Sequence, residues 1–480
     1  MNITVGDIVA ATGGRRVGGS DAQVVDGLTN DSRTVTPGSC FVAIVDQRDG
    51  HEFVTSAFAA GAAAAIVERI VEVDHTLPII VVDDVYAAIA DLAAWVRSER
   101  LAAARVVGVT GSTGKTSTKD FLASTLSTKW MTHANAASFN NEIGLPVTLL
   151  GAPGNVQFVV CEMGARFAGN IAELCAIATP DTGVVTNIGS AHAEHLGGVE
   201  GILVTKSELL AALPSTGLAV LPADDAFVDR LAGATSARVL RAGASPTADV
   251  VVRVESVDDE LRATVELASP WGSARARLGL RGRHQAANAA LAAAVALESG
   301  VSPDQVALGL GASVGSAWRM ELARTVDGIM VLNDAYNANP QSMAAAIRAL
   351  GELGATTDAS AGTSRRVAVL GTMRELGPTS IADHEALVPL LSAAEVTDLV
   401  VVGADEETDA LARAAKGSNL VVRRAPDAAA SLAMLHQLEL GAGDAVLVKA
   451  SRVVGLDVVA RALVEANRVE ANRGEGGDRA

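Results

Sequence analysis

The sequence predicts an α/β protein of three domains. Its 480 residues, at roughly 150 per domain, allow about three. Short apolar runs that read as buried strands alternate with stretches of helical spacing along the whole chain. Several strand-to-helix junctions carry Gly- and Asn-rich polar clusters. Such alternation implies mainly parallel sheets covered by helices on both faces, with ligands gathering at the carboxyl ends of the strands.

Bulk composition narrows the class. The chain is 49% hydrophobic, enough for sizeable cores, but much of that is Ala and Val, and aromatics are only 3%. No apolar run reaches the ~18 residues of a membrane-spanning helix. Cys40, Cys161 and Cys175 do not form a disulfide framework, and the first ten residues lack a basic segment followed by an apolar one. The cytosol is therefore the expected compartment. The formal charge of −17 argues against non-specific nucleic-acid binding, although a local cluster can still receive an anion.

Residues 1–103 read as a small N-terminal α/β domain. Strands are expected at 40–45 and 79–82, helices at 53–61 and 85–100, and the Ala-rich run 62–65 reads as helix filler. Asp31, Ser32 and Arg33 precede a Pro37-Gly38 turn and suit a diphosphate or a uracil edge. The competing reading is a structural surface pair.

Residues 104–314 read as a central P-loop domain, a parallel sheet with covering helices. Strands are expected at 106–109, 158–161, 184–187 and 218–221, with a short antiparallel patch over 250–280. The run Thr110-Gly111-Ser112-Thr113-Gly114-Lys115-Thr116-Ser117 follows the first strand and precedes helical spacing over 117–129. Gly111 and Gly114 let backbone N–H groups turn inward around phosphate oxygens, and the helix start adds its positive end. Lys115 can reach the outer phosphates, and the Thr116 hydroxyl can ligate Mg²⁺. Val109 stands where the longer form of the motif opens with Gly.

Further polar groups follow the other strands. Glu162, at a strand end, can complete a Mg²⁺ site with Thr116 and water. Asn140 and Asn141 lie in a turn before Pro146. His192 suits a nitrogen ligand of a second ion, and a hydrogen-bonded loop histidine is the alternative. Lys206 falls in an expected helix over 200–213, where spacing alone gives an ordinary solvated lysine. Asn288 offers the donor and acceptor edge that adenine needs.

Residues 315–467 read as a third, Rossmann-like α/β domain with strands at 329–332, 367–370, 399–402 and 445–448, followed by a disordered tail at 468–480. Arg319, with Lys115, can neutralise a transferring phosphoryl group. Asp334 can accept ribose hydroxyls from a loop that also holds Asn337. No Ser-His-Asp or Cys-His arrangement is apparent, and no cysteine pair has zinc spacing.

Seven segments, in order, resemble the Mur ligase family over nearly all of residues 25–465. They are Asp31-Ser-Arg33 with its Pro-Gly turn, the Thr110–Thr116 loop, Asn140-Asn-Glu-Ile-Gly-Leu-Pro146, Glu162-Met-Gly-Ala165, Asn187-Ile-Gly-Ser-Ala-His192, His284-Gln-Ala-Ala-Asn288 and Asp334-Ala-Tyr-Asn-Ala-Asn-Pro340. The last, with Glu-Met-Gly-Ala, resembles the D-alanyl-D-alanine-adding branch. The resemblance implies an ATP-dependent amide ligase acting on UDP-N-acetylmuramoyl-tripeptide and D-alanyl-D-alanine through an acyl phosphate, as a cytoplasmic monomer. It implies Lys115, His192, Lys206 and Arg319 as the catalytic set. ATP contacts fall to Thr110–Ser117, Asn288, Arg319, Asp334 and Asn337. Sugar-peptide contacts fall to Asp31, Ser32, Arg33, Asn140 and Asn141. One or two Mg²⁺ ions fall to Thr116, Glu162, His192 and a carbamylated Lys206. The chain departs from the family pattern at Thr372 and Ala450, where Asp and Gly are usual, and at Arg281 and Arg283. Outside the family, a nucleotide-driven switch and a small-molecule kinase are the competing readings of the phosphate loop alone.

Overall fold

The computed structural model describes residues 2–73, 76–135, 139–189, 193–353 and 365–474. Each domain holds one main sheet, and the N-terminal domain adds a two-stranded antiparallel sheet of Asn2–Thr4 with Val24–Asp26. The main N-terminal sheet has five strands, ordered Arg15–Val17, Ile79–Val81, Ala64–Val67, Cys40–Val42 and Leu28–Thr29. Its first pair is antiparallel and the rest are parallel. Asp84 caps the helix Val85–Glu99, accepting the Ala87 N–H at 3.0 Å. That helix buries Val85, Ala88, Ile89, Leu92, Ala93 and Val96 at helical spacing. Its apolar stripe shares one core with Leu145, Leu149, Ile171 and Leu174 of the central domain. Arg97 Nε adds a bond to Ala178 O at 3.0 Å, so the first two domains are joined by packing rather than by a linker alone.

The second half of the run read as helix filler, Ala64 and Ala65, instead opens a strand. Ala64–Val67 is fully buried and pairs on both edges. Helix propensity favours Ala, but a strand covered on both faces selects small and branched residues regardless of pattern.

The central sheet has nine strands, ordered Gly272–Arg281, Arg262–Ser269, Val250–Val257, Arg238–Gly243, Leu218–Pro222, Thr182–Val185, Arg105–Thr110, Phe158–Glu162 and Thr132–Ala134. The seven strands from Val250–Val257 to Thr132–Ala134 pair in parallel, and the two remaining pairings are antiparallel. The antiparallel strands extend this sheet rather than standing apart, because Val250 and Val251 pair with Ala242 and Gly243. The phosphate-loop strand lies between Phe158–Glu162 and Thr182–Val185, whose following loops therefore flank it. The helix Gln285–Glu298 is nearly all Ala and Leu on every face and packs against the helix Lys115–Ser127. That second helix starts two residues earlier than its spacing predicts, because Gly114 in the left-handed region turns the chain straight into it.

The third sheet runs Glu321–Arg324, Met330–Asn333, Ala445–Lys449, Arg366–Gly371, Asp398–Val402 and Val421–Ala425, parallel except for its first pair. The last helix, Asp457–Gly474, overlaps the segment read as a tail. Among the described residues, no helix is long and apolar enough to cross a membrane.

Candidate active site

One cleft of about 2320 Å³ is lined by loops from all three domains. Its floor is the phosphate loop. Gly111 has φ +141° and Gly114 φ +77°. A Cβ on Gly111 would lie 1.9 Å from Thr186 Oγ1, and one on Gly114 2.4 Å from Asn288 Oδ1, so both positions exclude a side chain on space as well as on φ. The loop is braced from behind by the strand end at 186–189. Thr113 N donates to Asn187 Oδ1 at 3.0 Å, Ser112 N to Asn187 O at 3.1 Å, and Gly189 N to Ser112 Oγ at 2.8 Å. Thr110 Oγ1 anchors the strand exit to Met163 O at 2.8 Å.

The predicted phosphate and metal groups meet here. Lys115 Nζ lies over the loop, donating to Gly111 O at 2.8 Å. Burial lowers its pKa; Glu162 opposes that shift and the Arg319 charge adds to it. Thr116 Oγ1 donates to Glu162 Oε2 at 2.9 Å, and Asn140 Nδ2 to Glu162 Oε1 at 2.8 Å. Glu162 is buried and so joins the helix start to the turn at 140–144, which Asn141 Oδ1 caps by accepting the Gly144 N–H at 2.9 Å. Among the described residues, no three His, Cys, Asp or Glu side chains cluster as a metal cage. A hydroxyl and a carboxylate on one wall fit an ion that keeps most of its waters.

Asn288 is buried against Gly114 with its amide engaged. It donates to Gln285 Oε1 at 2.8 Å and accepts from Thr118 Oγ1 at 3.3 Å. Gln285 in turn donates to Ser117 Oγ at 3.3 Å. Lys206, on the helix Gly198–Ala211, is only 1% exposed. It does not line the cleft, and its Nζ has no hydrogen-bond partner among the described residues. Burial and the Lys115 charge pull its pKa down to about 7. The amine therefore has an accessible neutral form, against the solvated lysine that spacing alone suggests. His192 lies outside the described residues.

The third domain supplies the other wall. Arg319 sits between Trp318 and Met320, both in the left-handed region, with φ +59° and +51°. Its guanidinium lies 4.1 Å from the Tyr336 ring centre. Asp334 accepts the Met320 N–H at 2.9 Å through Oδ1 and the Lys449 ammonium at 2.5 Å through Oδ2. Lys449 Nζ also donates to Asn337 O at 2.8 Å. Burial lowers the pKa of Lys449 while Asp334 raises it. His284 packs beside this pair and is pushed down to about 4 by burial. Sequence reasoning missed Lys449 as a member of the site; the available signal was a lysine closing an otherwise apolar parallel strand. The Thr372 hydroxyl donates to Asp405 Oδ2 at 2.5 Å, so a carboxylate stands beside that position although Thr occupies it.

Asp31, Ser32 and Arg33 line the far end of the cleft. Asp31 accepts the Arg33 N–H and Nε, both at 2.9 Å, and hydrogen bonds from Arg33 lower its carboxyl to about 2.

Residues 109–296 match the Mur ligase middle domain, and residues 318–452 match the Mur ligase glutamate ligase domain. The UDP-N-acetylmuramoyl-tripeptide–D-alanyl-D-alanine ligase of Mycobacterium bovis is 40% identical over 97% of this chain and 98% of its own. The crystal structure of MurF from Acinetobacter baumannii covers 97% of this chain and 99% of its own, with a TM-score of 0.82 and 29% identity. MurF ligase from Thermotoga maritima, solved in complex with ADP, covers 93% and 99%, with a TM-score of 0.76 and 28% identity.

Proposed function

The chain belongs to the Mur ligase family, and from that premise we propose that it joins D-alanyl-D-alanine to UDP-N-acetylmuramoyl-tripeptide with ATP in the cytoplasmic stage of peptidoglycan precursor synthesis. The observation that carries this reading is the single cleft running from Asp31–Arg33, past the phosphate loop, to Asp334 and Arg319. Its lining brings groups suited to a sugar diphosphate, to phosphates and to a ribose into one space of about 2320 Å³.

In this reading the terminal carboxylate of the tripeptide attacks the γ-phosphorus of ATP, giving an acyl phosphate and ADP. The dipeptide amine attacks the acyl carbon, loses a proton, and phosphate leaves as the amide forms. Lys115 and Arg319 approach the phosphoryl group from opposite walls and neutralise the charge that develops on it. The Gly111–Gly114 backbone holds the phosphates, while Asp31, Ser32, Arg33, Asn140 and Asn141 hold and orient the sugar-peptide. Asn288, Asp334 and Asn337 position the nucleoside. Thr116 and Glu162 would hold Mg²⁺, which when bound screens the phosphate charges. Lys206 in its neutral form can take up CO₂, and the resulting carbamate would be an oxygen donor for a cation. The protein acts as a monomer.

The test uses ATP, Mg²⁺ and UDP-N-acetylmuramoyl-tripeptide, with and without D-alanyl-D-alanine. Expected is a product heavier by one condensed dipeptide, with phosphate released only when the dipeptide is present. Phosphate release without amide, whichever amine is supplied, points to a switch instead.

For Lys206, ¹³C-bicarbonate should give a carbamate signal that Lys206→Ala abolishes. Because the neutral amine dominates above about 7, that signal and turnover should fall as pH drops through 7. The ordinary value is 10.5, so the unfolded chain holds this proton where the folded one has released it. Stability therefore gains from this group as pH rises from about 7 toward 10.5. A pH-flat profile with no Lys206-dependent signal would remove the carbamate from the account.

A further inference from the structure

The described residues 186–189 and 193–194 present two faces. One braces the phosphate loop through Thr186, Asn187 and the Gly189 N–H. The other meets the third domain at two points. The exposed Gln341, second residue of the helix Pro340–Glu352, lays its carboxamide on Gly189: a Cβ built there would fall 2.2 Å from Gln341 Oε1 and 2.7 Å from its Nε2. Further along, Glu194 N donates to Glu375 O at 3.4 Å, and a Cβ on Gly377 would lie 3.2 Å from Glu194 Cα. The backbone that sets the phosphate loop is thus the same backbone on which the third domain rests. Gly189, having no side chain, lets the carboxamide reach that backbone.

Resting on the function proposed above, we infer that Gln341 is a positioning residue for amide formation. It seats the third domain on Gly189, and so sets where the amine acceptor stands relative to an acyl phosphate formed over the phosphate loop. Phosphoryl transfer takes the tripeptide carboxylate, ATP, the central domain and the Arg319 charge of the third domain, and a Coulomb interaction changes only in proportion to a small displacement. On this inference the amine docks against the third domain, so its attack also needs the two domains in register, and a displacement of about 1 Å can cost a hundredfold.

The two steps separate with hydroxylamine, a small nucleophile that needs no docking. It attacks the acyl carbon of the acyl phosphate, forming a hydroxamate and releasing phosphate. The parent enzyme's amide formation is measured first, so failure of the functional reading appears in the parent and failure of this inference only in the variants. In Gln341→Ala we expect kcat for amide formation to fall about tenfold to a hundredfold at saturating dipeptide. Hydroxamate yield, ATP affinity and Tm should stay within about twofold or within error of the parent. Gly189→Ala, which forces the carboxamide aside, should reproduce the defect. The double variant should be no worse than the worse single, since both remove one contact. Amide kcat and KM in Gln341→Ala within twofold of the parent would overturn the assignment. So would hydroxamate falling in step with amide, or additive losses in the double variant.

Discussion

The loop from Gly111 to Gly114 and the loop from Asp334 to Asn339 both leave a buried parallel strand and enter a helix, yet they hold their shapes by different means. The first relies on two glycines at positive φ, packed where no side chain fits. Its Ser112 and Thr113 N–H groups are held by Asn187, and the rest of its shape comes from backbone conformation rather than from a side chain of its own. The second is ordered by Lys449, whose ammonium reaches Asp334 and Asn337 from a strand 115 residues away in sequence, and by a capping box between Asn339 and Ser342. A phosphate loop must present bare backbone to an anion. The third-domain loop must instead aim Arg319, through Met320 and Tyr336, at what the first loop holds. Backbone geometry suffices for the first task, while the second uses a buried charge pair that is costly if half of it is lost.

Breaking that pair is the most severe test of the contrast. Lys449→Met strands Asp334 in a nearly dry site and should cost about 3–5 kcal/mol in urea unfolding. Adding Asp334→Asn should recover a large part of that stability, though not turnover. A single variant as stable as the parent would mean that the loop does not depend on the pair.

Lys115→Ala probes the other loop from its functional side. Product formation should fall by about 10²–10³-fold, equivalent to ~2.7–4 kcal/mol of transition-state stabilisation, with the fold intact. Near-normal turnover in a folded variant would remove the phosphate-loop assignment.

Gly114→Ala sharpens the comparison by altering shape alone. The left-handed φ should cost about 1–2 kcal/mol, and the displaced Asn288 should weaken nucleotide binding as well. Nucleotide affinity and Tm, measured together, would report both effects; a change in neither would show that the loop tolerates a Cβ.

The smallest stability effect is expected at the exposed pair. Arg33→Ala should leave unfolding within error of the parent, raise the Asp31 carboxyl from about 2, and raise KM for the UDP-linked substrate with little change in kcat. An unchanged KM would return Asp31 and Arg33 to a structural role.

The phosphate loop was legible in the sequence because its function is local. Contiguous residues supply the turn, the cation and the hydroxyl, and the flanking apolar run and helical spacing set the context. The same holds for strands such as Arg105–Thr110 and for the amphipathic helix Val85–Glu99. Ala64–Val67 was not legible, since an Ala-rich run carries no period and only burial on both faces makes it a strand. The partnership of Lys449 with Asp334, the seat of Asn288 against Gly114, and the contact of Gln341 with Gly189 all join residues distant in sequence. By itself the sequence determined the three α/β domains and most of the site's chemical groups, because periodicity and short motifs are properties of neighbouring residues. Tertiary structure decided which groups are buried, which charge shifts which pKa, and which glycine lies beneath which side chain. Desolvation and close packing depend on what the rest of the chain brings alongside.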